Sequence, residues 1–326
     1  MIMNRTYQSR SRRKRKVHKF PHFICIFLLL LLLFSGGFLL KTIFRTSSLQ
    51  LTDASGHSID VSHLYSSCAI LTDASTGTIL SEHRSNKKIY PASLTKIMTA
   101  ILAIEHTPDL NEQIVVPDDI FSALYAEDAS MAGFLPGEAV SCKDLLYGIL
   151  LPSGAECCLT FARQIAGSEH DFVKMMNQKA KELGMSDTHF CNSTGLHDND
   201  HYSTVKDLSL LLQYALKNEE FRAAFTSSSY FVQPTIQHPD GFSFQSTMFQ
   251  SMDTTEVTGG EILGGKTGYT QEAGLCLASL ALVNGTEYIL VTAKADGTHE
   301  TEPFHILDAI NVYNQIGTVL NGTDAL

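Results

Sequence analysis

The stretch Tyr90-Pro-Ala-Ser-Leu-Thr-Lys-Ile-Met-Thr-Ala-Ile-Leu102 is where the chain changes from an extended pattern to a helical one. After its proline, apolar residues recur every three or four positions, which predicts an amphipathic helix beginning near Ala92. Ser93 and Lys96 stand three residues apart at the head of this helix, so their side chains share one face. A hydroxyl nucleophile needs an adjacent base, and a lysine whose charge is suppressed by its surroundings can serve. The stretch therefore predicts a helix that carries a serine nucleophile and its lysine base.

The Ser-x-x-Lys spacing alone is weak evidence, because it occurs four times, beginning at Ser11, Ser85, Ser93 and Ser203. Ser11 lies in a strongly basic segment, Ser85 lies in a polar loop, and Ser203 has the setting of a helix N-cap. Ser93 differs from these because it follows a proline at the head of a strongly apolar helix. Its sequence context, rather than the spacing, selects it as the candidate.

The segments around this helix predict that both ends of the chain build one sheet. Short apolar runs predict strands before the helix, residues 118–218 have a largely helical pattern, and strands return in the last third. There Asn284-Gly285 separates two apolar runs, which is the strongest signal for a two-residue hairpin. The predicted strands and last helix are Cys68–Leu71, Thr78–Leu80, Leu275–Val283, Tyr288–Ala293 and Phe304–Ile316. The expected fold class is α/β of the α+β type, a mainly antiparallel sheet flanked by helices with an inserted helical region.

Lys266-Thr-Gly268 is a second candidate for a functional site. Gly264 and Gly265 precede it and a strand is expected to follow, so the backbone can approach a ligand closely while the lysine presents a cation. For an isolated motif, the alternative is a glycine-rich strand edge with a solvated lysine.

Composition limits the class of protein. With 326 residues, 44% of them apolar and 18% charged, the chain is long enough for one large domain or two small ones, and a disordered chain is excluded. Residues 1–45 hold 10 Lys and Arg and no Asp or Glu, which leaves residues 46–326 with 14 basic against 34 acidic residues. Because so acidic a body repels phosphate backbones, we expect no nucleic-acid partner.

The basic end of the chain precedes an uncharged run from residue 20 to residue 40, whose 21 residues span about 30 Å as a helix. We expect a transmembrane anchor there, with residues 1–19 cytoplasmic, a linker over residues 41–66, and the remaining chain outside the cell. The expected location is the cell membrane, crossed once. A cleaved signal peptide is the alternative, although the run is long for one and no Ala-x-Ala-like site follows it.

A third serine completes a pattern across the chain. Ser153 follows Leu150-Leu-Pro, and the order Ser93-x-x-Lys96, Ser153, Lys266-Thr-Gly268 resembles that of the serine acyl-transferases that bind penicillin. From roughly Ser67 to Ala293, the chain is similar to the low-molecular-mass D-alanyl-D-alanine carboxypeptidases. The segments that carry this resemblance are Tyr90–Thr99, Asp144–Gly154, Met176–Met185 and Gly265–Leu277. The resemblance implies a β-lactamase/transpeptidase-like catalytic domain, here over residues 67–317, followed by a tail over residues 318–326.

The resemblance implies a role for each matching residue. Ser93 would attack the carbonyl between the two terminal D-alanines of a peptidoglycan stem peptide, Lys96 would take the serine proton, and Ser153 would relay a proton to the leaving amine. The backbone N–H groups of Ser93 and Tyr269 would form the oxyanion hole. The implied substrate-binding residues are Lys266, Thr267, Gly268 and Tyr269. β-Lactam antibiotics are the implied inhibitors, no cofactor or metal is implied, and the oligomeric state is left open.

The chain departs from the family pattern at residue 155. The second motif is usually Ser-x-Asn, whereas here it is Ser153-Gly-Ala155, and alanine can neither orient the lysine nor bind the substrate amide. The resemblance as a whole makes a D,D-carboxypeptidase the first hypothesis. The alternatives are a D,D-transpeptidase that uses the same acyl-enzyme, and a catalytically weak protein that binds penicillin or stem peptide.

Two further features of the sequence raise the question of a metal site and of disulfide bonds. His197-Asp-Asn-Asp-His201 invites interpretation as a metal site, but the chain contains no His-Glu-x-x-His, and this spacing alone is weak evidence. Six cysteines lie outside the expected anchor and none forms a Cys-x-x-Cys pair, which favours buried free thiols over disulfides.

Overall fold

The computed structural model describes residues 58–323. The predicted cytoplasmic segment (residues 1–19), the predicted anchor (residues 20–40) and most of the predicted linker (residues 41–66) lie outside the described residues. Among the helices that are described, none combines the length and the apolar character needed to cross a bilayer.

One six-stranded antiparallel sheet forms the centre of the fold. Its strands are β1 (Ser66–Asp73), β2 (Ile79–His83), β7 (Glu256–Val257), β8 (Gly260–Thr270), β9 (Gly274–Val283) and β10 (Thr286–Ala295). They lie in the order β2-β1-β10-β9-β8-β7. β1 pairs with β10, with Ser66 opposite Ala295 and Asp73 opposite Tyr288. The prediction that both ends of the chain build one sheet is therefore confirmed.

The turn between β9 and β10 sets their register. Asn284 and Gly285 both have positive φ, at 48° and 77°, as the central residues of a type I′ turn require. Val283 consequently lies opposite Thr286, and the pairing continues along both strands. The hairpin predicted from Asn284-Gly285 is confirmed.

The segment between β2 and β7 is mainly helical, as predicted. Together with the C-terminal helix, the helices are α1 (Lys96–His106), α2 (Phe121–Ala126), α3 (Cys142–Leu150), α4 (Ala155–Ala166), α5 (Glu169–Glu182), α6 (Val205–Ala215), α7 (Glu219–Phe225), α8 (Thr247–Gln250) and α9 (Phe304–Thr323). The segment also holds two small two-stranded sheets that the sequence did not predict, formed by β3 (Gln113–Val115) with β4 (Ala139–Ser141) and by β5 (Ser229–Val232) with β6 (Phe242–Gln245). Strands of three or four residues are too short for a period of two to stand out.

The sheet is covered on both faces. In β1, Cys68 and Ile70 belong to the core shared with the helical region, whereas Ala69 and Leu71 belong to a second core shared with α9. Because both faces are buried, the central strands are continuous apolar runs rather than alternating ones. The helical region and α9 thus hold the sheet rigid from opposite sides.

The packed residues extend beyond both predicted ends of the catalytic domain. Before residue 67, Ile59 and Val61 are buried in the core beneath α9. The carboxylate of Asp308, which is 1% exposed, accepts the backbone N–H groups of Tyr65 (2.9 Å) and Ser66 (2.8 Å). At the other end α9 continues to Thr323, where a tail was predicted from residue 318, because burial of its apolar face does not stop at Ile316.

We predict that Asp308→Ala lowers the melting temperature of the full chain in mild detergent by about 5 °C, because two backbone donors, one of them buried, lose their acceptor. Thermal unfolding followed by circular dichroism measures this. Asn311→Ala, at an exposed position on the same helix, is the control and should change the melting temperature by about 1 °C or less. Equal shifts in the two variants would contradict a specific contribution from the carboxylate.

Candidate active site

Ser93 and Lys96 meet at the start of α1. Ser93 lies in a single 3₁₀ turn, Ala92–Thr95, and Lys96 is the first residue of the helix that follows. The Nζ of Lys96 lies 3.1 Å from the Oγ of Ser93 and donates a 2.8 Å hydrogen bond to the carbonyl of Thr194. The predicted helix start is therefore correct, and the predicted nucleophile and base are within hydrogen-bonding distance.

Lys96 is only 3% exposed. Burial lowers the pKa of Lys96, and the nearby side chains of Cys158 and Glu156 oppose that shift. Burial penalises the ammonium because water no longer solvates it, whereas a neutral amine is tolerated and can accept a proton. The surroundings of this lysine suit a general base.

A loop around Thr194 fixes the acceptor for Lys96. The carboxylate of Glu169 accepts the backbone N–H of Ser193 at 2.8 Å, and the hydroxyl of Thr99 on α1 donates to the carbonyl of Ser193 at 2.6 Å. The side chain of Asn192 accepts the N–H of Thr194 at 3.2 Å. The sequence did not predict this contribution, although Asn192-Ser-Thr-Gly195 is turn-forming sequence.

Two residues of the site have positive φ although they are not glycine. Ala92, directly before the nucleophile, has φ 46°, and Ser153 has φ 70°. Such conformations cost about 1–3 kcal/mol each and persist only where packing imposes them. At Ala92 the packing is close, since a Cβ on Gly195 would lie 1.9 Å from the Ala92 carbonyl oxygen. The nucleophile turn is therefore held by its neighbours in a conformation that it would not adopt alone.

Ser153 lies between α3 and α4 and is 5% exposed. Its Oγ has no hydrogen-bond partner among the described residues. Ser153 lines the same cavity as Ser93. A buried hydroxyl without a protein partner is unusual, and this one belongs to a residue that lines the cavity.

The residues after Ser153 anchor the neighbouring wall of the site. Ala155 is 1% exposed, and its N–H donates to the carbonyl of Ser130 at 2.8 Å. The buried carboxyl of Glu156 accepts the N–H groups of Ala132 (2.7 Å) and Gly133 (2.9 Å), and burial raises its pKa. The segment that carries Ser130 is thus tied to the start of α4.

Lys266, Thr267, Gly268 and Tyr269 lie within β8, whereas the sequence placed the motif before a strand. Lys266 is 1% exposed and its Nζ donates to the Thr267 carbonyl at 2.8 Å. Burial, and then the neighbouring Lys96, holds the pKa of Lys266 well below its usual range. The sequence also missed Thr247, whose Oγ1 lies 2.6 Å from that of Thr267.

Gly268 brings β8 against the nucleophile turn. A Cβ at this position would lie 3.1 Å from the backbone nitrogen of Ser93 and 3.2 Å from the carbonyl oxygen of Pro91. A side chain here would require β8 or the turn to shift by a few tenths of an ångström. The absence of a side chain therefore permits the close approach of the two backbone segments that carry the N–H groups of Ser93 and Tyr269.

The predicted site residues come together around one cavity of about 690 Å³. Those that line it are Ser93, Ser153, Thr267, Gly268 and Tyr269. Lys96 and Lys266 complete the set as nearly buried neighbours, and Thr247 and Ser130 line the cavity as well. All seven residues chosen from sequence are thus clustered, while the role of each stays a prediction.

His197 and His201 do not point to one shared site. The ring of His197 packs edge-on against Tyr90, whereas His201 is buried and hydrogen-bonded to Thr95. Within residues 58–323, no group of three or more His, Cys, Asp or Glu side chains is placed to hold a metal ion. The six cysteines of that part of the chain are free thiols, and all except the partly exposed Cys191 are buried, as predicted.

Comparison with known proteins gives concordant results. The peptidase family S11 model, described as D-alanyl-D-alanine carboxypeptidase, matches residues 55–297. The chain is 35% identical to D-alanyl-D-alanine carboxypeptidase DacF of Bacillus subtilis over 71% of its own length and 58% of that protein. It is 31% identical to D-alanyl-D-alanine carboxypeptidase DacD of Escherichia coli, over 72% of its length and 59% of that protein. The chain therefore spans less than two thirds of these curated relatives.

The fold is similar to that of a mutant of the DD-transpeptidase of Streptomyces K15, with a TM-score of 0.68 and 25% sequence identity. That similarity covers 81% of this chain and 99% of the other. The predicted mainly antiparallel sheet flanked by helices is thereby confirmed for the described residues. The family model covers most of the chain and includes every residue of the cavity motifs, and the chain belongs to the D-alanyl-D-alanine carboxypeptidase family, peptidase family S11.

Proposed function

We propose that this chain is a serine-type D-alanyl-D-alanine carboxypeptidase that removes the terminal D-alanine from peptidoglycan stem peptides. The observation that carries the proposal is the 3.1 Å separation of the Lys96 Nζ and the Ser93 Oγ, with the lysine almost fully buried. Family membership supplies the substrate class, since the matching family and the curated relatives are named for this activity.

In the proposed reaction, neutral Lys96 takes the proton from the Ser93 hydroxyl as Oγ attacks the carbonyl carbon between the two terminal D-alanines. The negative charge on the carbonyl oxygen is stabilised by the N–H groups of Ser93 and Tyr269. The C–N bond then breaks, its nitrogen takes a proton through Ser153, and D-alanine leaves. Water next attacks the ester on Ser93 and releases the shortened peptide.

Recognition of the terminal carboxylate falls to Lys266 with Thr267 and Thr247. In the structure the burial of Lys266 favours its neutral form. A carboxylate placed beside the lysine shifts the balance back toward the charged form, because an ion pair inside a poorly solvated site offsets the cost of burial. Penicillin also presents a carboxylate, so it is expected to occupy the same position and to acylate Ser93.

A D,D-transpeptidase is the second candidate, because the similar solved structure from Streptomyces bears that name. The acyl-enzyme is the same in both activities and only the acceptor differs, water in one and an amine in the other. Product analysis separates them. Release of D-alanine with a shortened peptide indicates hydrolysis, whereas a cross-linked or exchanged peptide indicates transfer.

The nucleophile is tested by labelling the full chain with fluorescent penicillin. We predict that one penicillin adds to the peptide containing Ser93, and that Ser93→Ala abolishes both the label and the release of D-alanine from a D-Ala-D-Ala pentapeptide. Ser85→Ala is the matched control, because Ser85 has the same spacing to a lysine yet lies outside the cavity. An adduct on another serine in the wild type would overturn the assignment.

The departure at residue 155 predicts a slow but real enzyme. An asparagine there would add one or two hydrogen bonds in a partly desolvated site, and a partner left unsatisfied without it costs about 1–3 kcal/mol. We therefore predict that Ala155→Asn raises the acylation rate by roughly 5- to 150-fold. Stopped-flow labelling with penicillin and D-alanine release measure this gain.

Ala155→Leu is the control for that experiment, because leucine has nearly the shape of asparagine without its polar atoms. If both variants lose activity, the space around residue 155 is filled, and the buried Cys157 and Cys158 on the same helix are the neighbours to examine. A wild type that penicillin labels but that releases no D-alanine, with no gain from asparagine, would favour the binding-protein alternative.

We also propose that residues 20–40 anchor the protein in the cell membrane with the catalytic domain outside. The support is the 21-residue uncharged run and the one-sided basic residues before it. The full chain is then expected to stay in the membrane fraction at high salt and to keep its N-terminus, as measured by fractionation and N-terminal sequencing. A soluble form beginning near residue 45 would indicate a cleaved signal peptide instead.

A further inference from the structure

His201 is a buried imidazole that the proposed mechanism does not use. It is 2% exposed and lies where the loop around Thr194 meets the nucleophile turn. Its ring packs edge-on against Phe190 on one side, and both ring nitrogens have hydrogen-bond partners. A side chain so placed touches both segments that define the position of Lys96.

The hydrogen bonds of His201 fix its tautomer. Nδ1 lies 3.1 Å from the backbone nitrogen of Cys191, whose N–H can only donate, so Nδ1 accepts and carries no proton. Nε2 therefore carries the proton of the neutral ring and donates it to the Oγ1 of Thr95 at 2.8 Å. Burial lowers the pKa of His201 to about 4, with Asp198 opposing and His189 and His197 adding to that shift.

The two hydrogen-bond partners of His201 belong to the two segments that surround Lys96, the nucleophile turn and the loop around Thr194. Thr95, which is fully buried, directly precedes Lys96 and lies two residues after Ser93. Cys191 leads into the loop whose Thr194 carbonyl accepts the Lys96 Nζ. Movement of one segment relative to the other would break the 2.8 Å contact of that Nζ with the Thr194 carbonyl, and the Nζ would then lose the acceptor that holds it 3.1 Å from the Ser93 Oγ.

We propose that His201 is a positioning residue for acylation, which acts through Thr95 to hold the Ser93–Lys96 turn in register with the Thr194 loop. This inference rests on the proposed acyl-enzyme at Ser93. It predicts that loss of the Thr95 hydrogen bond slows acylation, because the Thr194 carbonyl then no longer holds the Lys96 Nζ beside the Ser93 Oγ. Initial binding of penicillin should change little, since Lys266 and Thr267 hold the carboxylate from β8.

Two substitutions of His201 test the roles of its two ring nitrogens separately. His201→Gln places an amide nitrogen near the position of Nε2 and retains a donor to Thr95, whereas His201→Asn places an oxygen near Nδ1 and retains only the acceptor for Cys191. In the full chain, we expect His201→Asn to lower the acylation rate constant about 10-fold or more with an unchanged dissociation constant for penicillin. His201→Gln should remain within about 3-fold of the wild type.

Thr95→Val is the second route to the same contact, because it leaves the histidine in place and removes only the hydroxyl. We expect a loss similar to that of His201→Asn, and no additional loss when the two changes are combined, since both remove one hydrogen bond. His63→Gln, an imidazole with 87% of its side chain exposed, is the control and should leave acylation unchanged. All rates are compared at a temperature at which circular dichroism shows that every variant is folded.

The outcomes distinguish this inference from the proposed function. If penicillin does not label wild-type Ser93, the proposed function itself fails. If the wild type is labelled while His201→Asn and Thr95→Val acylate at its rate, only the positioning role is overturned. Equal losses in the Gln and Asn variants, or additive losses in the double variant, would also overturn it, because they would indicate packing rather than a hydrogen bond through Thr95.

Discussion

The burial of Lys96 beside Ser93 is the constraint on which the rest of the site depends. An ammonium group removed from water is strongly disfavoured, so the lysine needs surroundings that accept a neutral amine and a fixed acceptor for its hydrogens. The carbonyl of Thr194 supplies that acceptor at 2.8 Å. Two helices contribute to this arrangement, because Thr99 on α1 and Glu169 on α5 hold the loop that carries the carbonyl.

The sheet contributes the opposite wall. Gly268 lets β8 lie close against the nucleophile turn, and β8 itself is held by its long pairing with β9. β9 is in turn joined to β10 by the turn at Asn284 and Gly285, and β10 pairs with β1. The register of the wall against Ser93 therefore depends on strands from both ends of the chain, held rigid by a core on each face of the sheet.

The sequence was sufficient for the local parts of this arrangement. Ser93 and Lys96 share a helix face at a spacing of three, and Asn284-Gly285 defines a turn within two residues, so both follow from local rules. Thr194 and His201 could not be predicted in the same way, because each acts about 100 residues away from its partner, through a backbone carbonyl or one ring nitrogen. The extension of α9 was missed for a similar reason, since it depends on a core that the whole sheet creates.

The positive φ angles of Ala92 and Ser153 also depend on contacts with other segments of the fold. Each angle is unfavourable for a residue other than glycine, so the backbone would relax if nothing held it. At the first position the contacts that oppose relaxation are the close packing of Gly195 and Gly268 against the turn. At Ser153 the contact that opposes relaxation is the hydrogen bond from the Gly154 N–H to the Gly148 carbonyl. Because these contacts come from β8, α3 and the Thr194 loop, the geometry of the site is a property of the packed domain and not of its motifs alone.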